Sequence, residues 1–282
     1  MRIDSLIQKV SSAGSFFKKE QVMTPPLLSG AVRFPYGPFQ FTLQLAKGQP
    51  YEIHASTDLK NWSVIARDIA TADCFEHLDS DASKFSHRFY RVTSGVHSSL
   101  SIIGYASMTL PPGFSMIANQ FDAPSNSVGE LFKDWPDGTT LSRFDMRLFR
   151  LTENKVVGGK WTNPTEQLQP GDGAIFFNST SDYKALTFVG EVIQGGTSIP
   201  IPAGFSVRSS LVPQSGSLLE DLSFPISNGD VIHLYDRDRQ AYVTYPYEDG
   251  KWKSGPPMVS VGESFWVAKT VPENWSRDIS VS

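Results

Sequence analysis

The feature that most constrains this chain is an internal repeat at a fixed interval. Leu110-Pro-Pro-Gly-Phe-Ser115 returns as Ile201-Pro-Ala-Gly-Phe-Ser206, with an offset of 204 − 113 = 91 residues between the turn glycines. Gly159-Lys-Trp161 returns as Gly250-Lys-Trp252 and Phe144-Asp145 as Tyr235-Asp236 at the same offset. Leu131 and Leu222, Gly138 and Gly229, Gly171 and Gly262, and Asp172 and Glu263 keep it too, so the copies align without an insertion. A duplication of this kind sets the domain count before any element is assigned. Residues 104–193 and 194–282 are read as two copies of one module, related by an approximate twofold or by a translation.

Each copy is patterned as β-structure. A Pro-Gly turn precedes Phe114–Ala118 in one copy and Phe205–Ser209 in the other, and hairpins are expected through Gly158-Gly159 and Asp249-Gly250, where tight turns need positive φ. Hydrophobic strands follow at Ala174–Phe177 and Ser264–Val267. Ser127-Val-Gly-Glu130 and Ser217-Leu-Leu-Glu220 have the spacing of a capping box, which predicts a short helix in each copy. Composition agrees: 22 Gly, 19 Pro and 19 Phe with 19% charged residues favour short strands and tight turns over helical bundles.

Ahead of the pair lies a different unit. Phe39-Gln-Phe-Thr-Leu-Gln-Leu45 alternates strictly, with Phe39, Phe41, Leu43 and Leu45 on one face, and Tyr51–Ser56, Trp62–Ile65 and Arg88–Val92 supply further strands. The expected fold is all-β: a small antiparallel sandwich over 30–96, a serine-rich linker over 97–103, then two duplicated sandwich- or barrel-like modules. Residues 1–29 stand apart. Within them Ile3, Leu6, Ile7, Val10 and Phe17 form one apolar stripe near helical spacing, which Thr24-Pro-Pro26 would end. Such a stripe must be buried on its own body, on a neighbouring chain or on a membrane surface; a neighbouring chain is the expectation.

The segment Tyr51-Glu-Ile-His-Ala-Ser-Thr-Asp-Leu-Lys-Asn-Trp62 with Arg88-Phe-Tyr-Arg-Val92 resembles a small immunoglobulin- or fibronectin-like module of surface and secreted proteins from Verrucomicrobia and Planctomycetes. The repeat opening, Pro-Gly-Phe-Ser-Met-Ile-Ala-Asn119, is similar to uncharacterised tandem β-modules of the same kinds of protein. The resemblance covers about residues 39–282 and implies a cell-surface, extracellular or particle-associated setting, with no catalytic residue to carry over. No standard signal peptide and no transmembrane run is evident, so the compartment is left open.

Charge and motifs narrow the function. A net charge of −4 with no basic run leaves nothing to neutralise a phosphate backbone, which argues against nucleic acid. Cys74 is the only cysteine, so neither a disulfide framework within the chain nor a cysteine zinc cluster is available. Metalloprotease, nucleophile-elbow, P-loop and dinucleotide motifs are absent. The five histidines, His54, His77, His87, His97 and His233, read as scattered ordinary residues. Asp79-Ser-Asp-Ala-Ser83 has alternating oxygen ligands but lacks the rest of a calcium loop. Asp145/Asp236 and Asp172/Glu263 read as turn-stabilising carboxylates rather than acid–base pairs.

No enzyme activity, cofactor or metal is expected. The expected function is a structural subunit that forms a homo-oligomer or larger assembly through its N-terminal stripe and its strand edges. The alternative is a carbohydrate-binding or adhesive module that stacks polysaccharide on Trp135, Trp161, Trp252 and Trp266. For the repeated pair Trp161 and Trp252, a core-anchor role is the favoured reading. Trp135, Trp266 and Trp275 have no Trp in the other copy and are read as surface specialisations.

Overall fold

The computed structural model describes residues 24–34 and 37–279. The N-terminal stripe therefore lies outside the described residues. The first unit comprises β1 (Leu27–Arg33), β2 (Phe39–Gln44), β3 (Pro50–Ser56), β4 (Ser63–Ile69), β5 (Cys74–Asp79), β6 (His87–Ser94), β7 (His97–Ser98) and β8 (Ile102–Leu110). The first copy continues with β9 (Gly113–Ala118), α1 (Val128–Leu131), β10 (Thr140–Asp145), β11 (Arg150–Val157), β12 (Lys160–Trp161), β13 (Gly173–Asn178) and β14 (Lys184–Val192). The second has β15 (Gly195–Ile201), β16 (Gly204–Arg208), β17 (Gly216–Ser217), β18 (Val231–Asp236), β19 (Ala241–Glu248), β20 (Lys251–Trp252), β21 (Met258–Val259), β22 (Phe265–Lys269) and β23 (Glu273–Ile279). The fold is all-β, built from antiparallel sheets, and none of them closes into a barrel.

Alternation builds the first unit as a sandwich. Phe39, Phe41 and Leu43 on β2 are buried while Gln40, Thr42 and Gln44 point outward, and β1-β2-β5 packs over β4-β3-β6. Phe39 stacks on Tyr90 with ring centroids 4.8 Å apart. The unit does not end at a linker: residues 97–103 hold β7 and the start of β8, and β8 pairs with the edge of β6.

β8 and β14 form a ribbon paired from Leu110↔Lys184 to Ile102↔Val192, and its two faces serve two cores. Ile102, Ala106, Leu110, Leu186, Phe188 and Val192 join Phe132, Trp135, Trp161 and Phe176 inside the first copy. Ile103, Tyr105 and Val189 turn the other way, onto Phe39, Phe41 and Tyr90. A strand with apolar residues at successive positions is stable only when covered on both sides. The equivalent ribbon of the second copy, β15 with β23, is covered on one side. Gln194 and Gly196 stand where the first copy has Ile103 and Tyr105, and Gly196, Ser198, Asn274 and Ser276 are exposed.

The copies match at the level of backbone pairing. Their five-stranded sheets run β12-β11-β10-β13-β9 and β20-β19-β18-β22-β16. Thr140↔Phe177 and Gly113↔Asn178 in one correspond to Val231↔Ala268 and Gly204↔Lys269 in the other, at the repeat offset. The expected helices are nearly absent. α1 is a single turn, and Ser127 makes no side-chain cap bond because its hydroxyl is engaged with Ser125. Ser217 does bond to Glu220 and accepts from its N–H, but this box closes a turn after β17 rather than a helix.

One buried cluster differs between the copies. In the second, the fully buried Lys269 ammonium bonds to Asp230 and Glu273 and donates to the Pro225 carbonyl at 3.0 Å. Burial opposes ionisation of Asp230, but the bonds from Lys269, Thr270 and Ser227 outweigh it and hold the carboxyl below the usual range. In the first copy Asn178 and Thr139 stand at these positions. Asn178 donates to Leu110, Pro111 and Asp182 carbonyls, and Thr139 bonds to Ser179. Lys269→Met strands a buried carboxylate and is expected to cost about 3–5 kcal/mol in urea denaturation. Lys269→Asn with Asp230→Thr, which copies the neutral version, is expected to cost clearly less.

Candidate functional site

The two copies meet through reciprocal contacts. Ile117 bridges to Glu263 and Arg208 to Asp172; Ala118 N–H donates to the Gly262 carbonyl at 2.7 Å and Ser209 N–H to the Gly171 carbonyl at 3.2 Å. Each pair becomes the other when the copies are exchanged, which is the signature of a twofold relation and excludes a translation. Gly171 and Gly262 hold φ of 90° and 83°, conformations that favour glycine, and so present their carbonyls across the junction. Gly173 and Ser264 are equivalent and face each other at this junction. A Cβ on Gly173 would lie 2.5 Å from that of Ser264, so only one of them carries a side chain.

This junction turns the outer faces of the two five-stranded sheets toward each other, and each β-hairpin reaches over the other copy's sheet. Phe144 and Phe149, at the end of hairpin β10–β11, stand over Phe205, His233, Tyr242 and Trp266 and enclose an open cradle of about 460 Å³. Tyr235 and Gln240, at the end of hairpin β18–β19, stand over Phe114, Met116, Leu151 and Ile175 around about 330 Å³. These are the same positions in the two copies: Phe144 corresponds to Tyr235, Phe149 to Gln240, and Phe205 to Phe114. Tyr242 lines both, so the two cradles adjoin at this residue and together make up an apolar groove of two halves.

The hairpin tips dock by different chemistry at equivalent places. Gln240 accepts from Phe114 N–H at 2.7 Å and donates to its carbonyl at 2.9 Å, mimicking a neighbouring strand. Phe149 instead packs its ring edge-on to Phe205, with centroids 6.3 Å apart. Both residues sit in the left-handed region, at φ 51° and 48°. That conformation costs a residue with a Cβ about 1–3 kcal/mol and closes the four-residue hairpin loop in both copies. Phe144 meets Trp266 edge-on at 4.9 Å, and Trp266 Nε1 donates to the Tyr242 hydroxyl at 3.1 Å. Phe149 remains 68% exposed, and Phe114, Leu151, Phe205 and Tyr242 remain nearly half exposed.

Of the four Trp candidates only Trp266 lines this groove. Trp135 and Trp161 are 7% and 8% exposed and belong to the first copy's core. Trp135 packs on Phe176 with the Lys184 ammonium over its ring, and Trp161 donates to the Phe132 carbonyl at 2.8 Å. Trp252 is half-buried against Tyr247. Trp275, read as a surface residue, is fully buried and donates to the Leu222 carbonyl, because it faces inward on β23 against Phe224.

The acidic candidates are occupied by structural work. Asp79 caps a 3-10 turn and accepts from Arg88 and Tyr90, each at 2.7 Å. Asp145 and Asp236 accept N–H groups of their own hairpin turns. Asp172 and Glu263 close turns and pair with Arg143 and Arg237. Among the described residues no group of three His, Cys, Asp or Glu is placed to hold a metal ion, and no helix is long and apolar enough to cross a membrane.

A larger cleft of about 560 Å³ lies between the first unit and the first copy. Its wall mixes Arg33, Lys84 and Lys133 with Phe85, Met108 and Trp135 without a convergent set of groups.

No family model and no curated protein matches the chain. One solved structure, a tetra-tandem repeat in the extending region of a large adhesion protein, is 10% identical over 91% of this chain and 74% of that chain, with a TM-score of 0.25. A superposition of that size establishes no shared fold.

Burial holds the imidazoles of His54, His77, His87 and His233 below the ordinary 6.5. The folded chain keeps them neutral where the unfolded chain binds protons. Their contribution to stability is therefore complete above 6.5 and is lost as pH falls through the lower, folded values. Thermal midpoints are expected to drop between about pH 7.5 and about pH 5.5, and to drop less in His233→Asn.

Proposed function

We propose that this chain is a non-catalytic structural module that assembles with a protein partner through the paired aromatic cradles. The carrying observation is the exposed apolar surface on both hairpins and both sheets, held in place by two left-handed residues. Phe114, Phe149, Leu151, Phe205 and Tyr242, which line the cradles, together leave roughly 500 Å² of their surface in water, at the upper end of the largest patch on a typical monomer. Patches of that size often mark an interaction site. A sugar would need several hydrogen-bonding groups beside the rings. The wall around Phe149 and Phe205 offers only two, the His233 ring, whose Nδ1 bonds to Thr244, and the Tyr242 hydroxyl, which accepts from Trp266. An apolar protein segment therefore suits the groove better than a polysaccharide.

Strand-edge pairing is a second route in the same reading. The edge of β8 is covered by β6, whereas the equivalent edge of β15 has no strand beside it among the described residues. Pro200 removes one donor from that edge, which weakens pairing there and leaves the groove as the main contact.

Size-exclusion chromatography with light scattering over a wide concentration range tests the proposal. The full chain is expected to form a defined oligomer, and Phe149→Asn with Phe205→Ser to shift it at least tenfold in concentration toward monomer. Asn tolerates the left-handed backbone, so the fold is expected to survive. A chain that stays monomeric throughout, or an oligomer indifferent to both substitutions, contradicts the proposal.

A further inference from the structure

Among the described residues the groove is an apolar surface without a cover, and the same sequence carries an apolar stripe in need of a surface. Ile3, Leu6, Ile7 and Val10 fall at i, i+3, i+4 and i+7, with Phe17 two turns further on, the anchor spacing of a helix laid into a groove. Building on the assembly reading above, we infer that the groove formed by the two cradles receives residues 1–23 of a second copy of this chain.

The length of the segment and its point of attachment bear on whether it covers its own chain or another. The described chain starts beside the beginning of β8, where Leu100 N–H donates to the Pro26 carbonyl at 3.4 Å. The cradles begin past the opposite end of that strand, at Phe114. The nine residues of β8 span about 30 Å. Twenty-three residues in helical form reach about 34 Å. Were residues 1–23 one helix rooted at Pro26, it would use nearly its whole length to arrive at the edge of its own groove, bringing only the residues around Ile3. The groove of a neighbour sets no such limit of reach, and the concentration dependence of assembly separates the two.

The chemistry of the two surfaces also agrees. The groove wall is aromatic and aliphatic, with His233 held neutral at pH 7 by burial, so it asks for no countercharge from its occupant. The segment keeps its charges, Arg2, Asp4, Lys9, Lys18, Lys19 and Glu20, off the Ile3–Val10 anchor positions. Exchange of segments between copies gives an isologous dimer when it is mutual and an open chain when it is not.

The test titrates a synthetic peptide of residues 1–23 into chain 24–282, once cooperative urea unfolding has shown that this chain folds as the full chain does. Tryptophan emission, to which Trp266 in the groove contributes, and calorimetry read binding. Saturable binding is expected, weakened at least tenfold by Phe149→Asn with Phe205→Ser in the protein and by Leu6→Asp in the peptide. Absence of binding, or binding indifferent to the groove substitutions, overturns the inference. If the peptide fails while the full chain still assembles through the groove, the assembly reading stands and this occupant is wrong. If the peptide binds the groove but the full chain is monomeric at every concentration, the segment docks on its own chain and the second-copy inference is overturned.

Discussion

The hydrogen bonds from Ala118 to Gly262 and from Ser209 to Gly171 hold the two repeats face to face, and the rest of the groove is built on the angle they set. Both donors lie at the inner ends of β9 and β16, and both acceptors sit in glycine turns ahead of β13 and β22. Fixing these two points orients each five-stranded sheet so that its outer face looks at the partner hairpin. Phe114 and Phe205 then lie under Gln240 and Phe149. An outer face that would be wet in an isolated repeat becomes the wall of a cleft.

The ribbon of β8 and β14 explains why the repeats are not interchangeable. Its two apolar faces tie the first copy to the N-terminal sandwich, so those two cores share a layer of structure. The second copy has given up that outer face for Gly196, Ser198 and Ser276, and it replaces a neutral buried network with the Lys269–Asp230–Glu273 cluster. A polar network that is fully paired specifies one arrangement of strand ends without an apolar neighbour to enforce it. The hairpin tips diverged as well: an amide bonds to backbone on one side and a phenyl ring packs on the other, with the same left-handed backbone beneath both.

Much of this was legible in the sequence. The constant offset located both copies, and the strict alternation of Phe39 to Leu45 located the first core, because period-two burial leaves a direct mark on residue type. The all-β class followed from the turn glycines. The capping-box spacing misled because Ser and Glu three apart satisfy a tight turn as well as a helix start, and four-residue turns carry no helical periodicity to decide between them. Lack of a repeat partner does not mark Trp135 or Trp275 as surface residues: position in the fold decides burial, and both pack inward. The groove was missed for a related reason. Phe114 and Phe205, and Phe144 and Tyr235, were visible as repeated aromatics, but which face of the sheet they occupy depends on contacts between the copies, which no local pattern encodes. The available signal was their parity: they alternate with Ser115, Ser206 and Arg143 and so share the face opposite Leu141.

The reciprocal junction is tested most directly at Gly173 and Ser264, the equivalent residues that oppose each other. Gly173→Ser places two side chains where one fits and is expected to destabilise the chain by about 1–3 kcal/mol in urea denaturation. Adding Ser264→Gly removes the nearer of the two groups that the new Cβ meets, Val207 Cγ1 at 2.6 Å being the other, and the account predicts that it restores part of the lost stability. A second substitution that merely adds its own cost, with no restoration, would contradict the opposition of these two equivalent residues across the junction on which the groove depends.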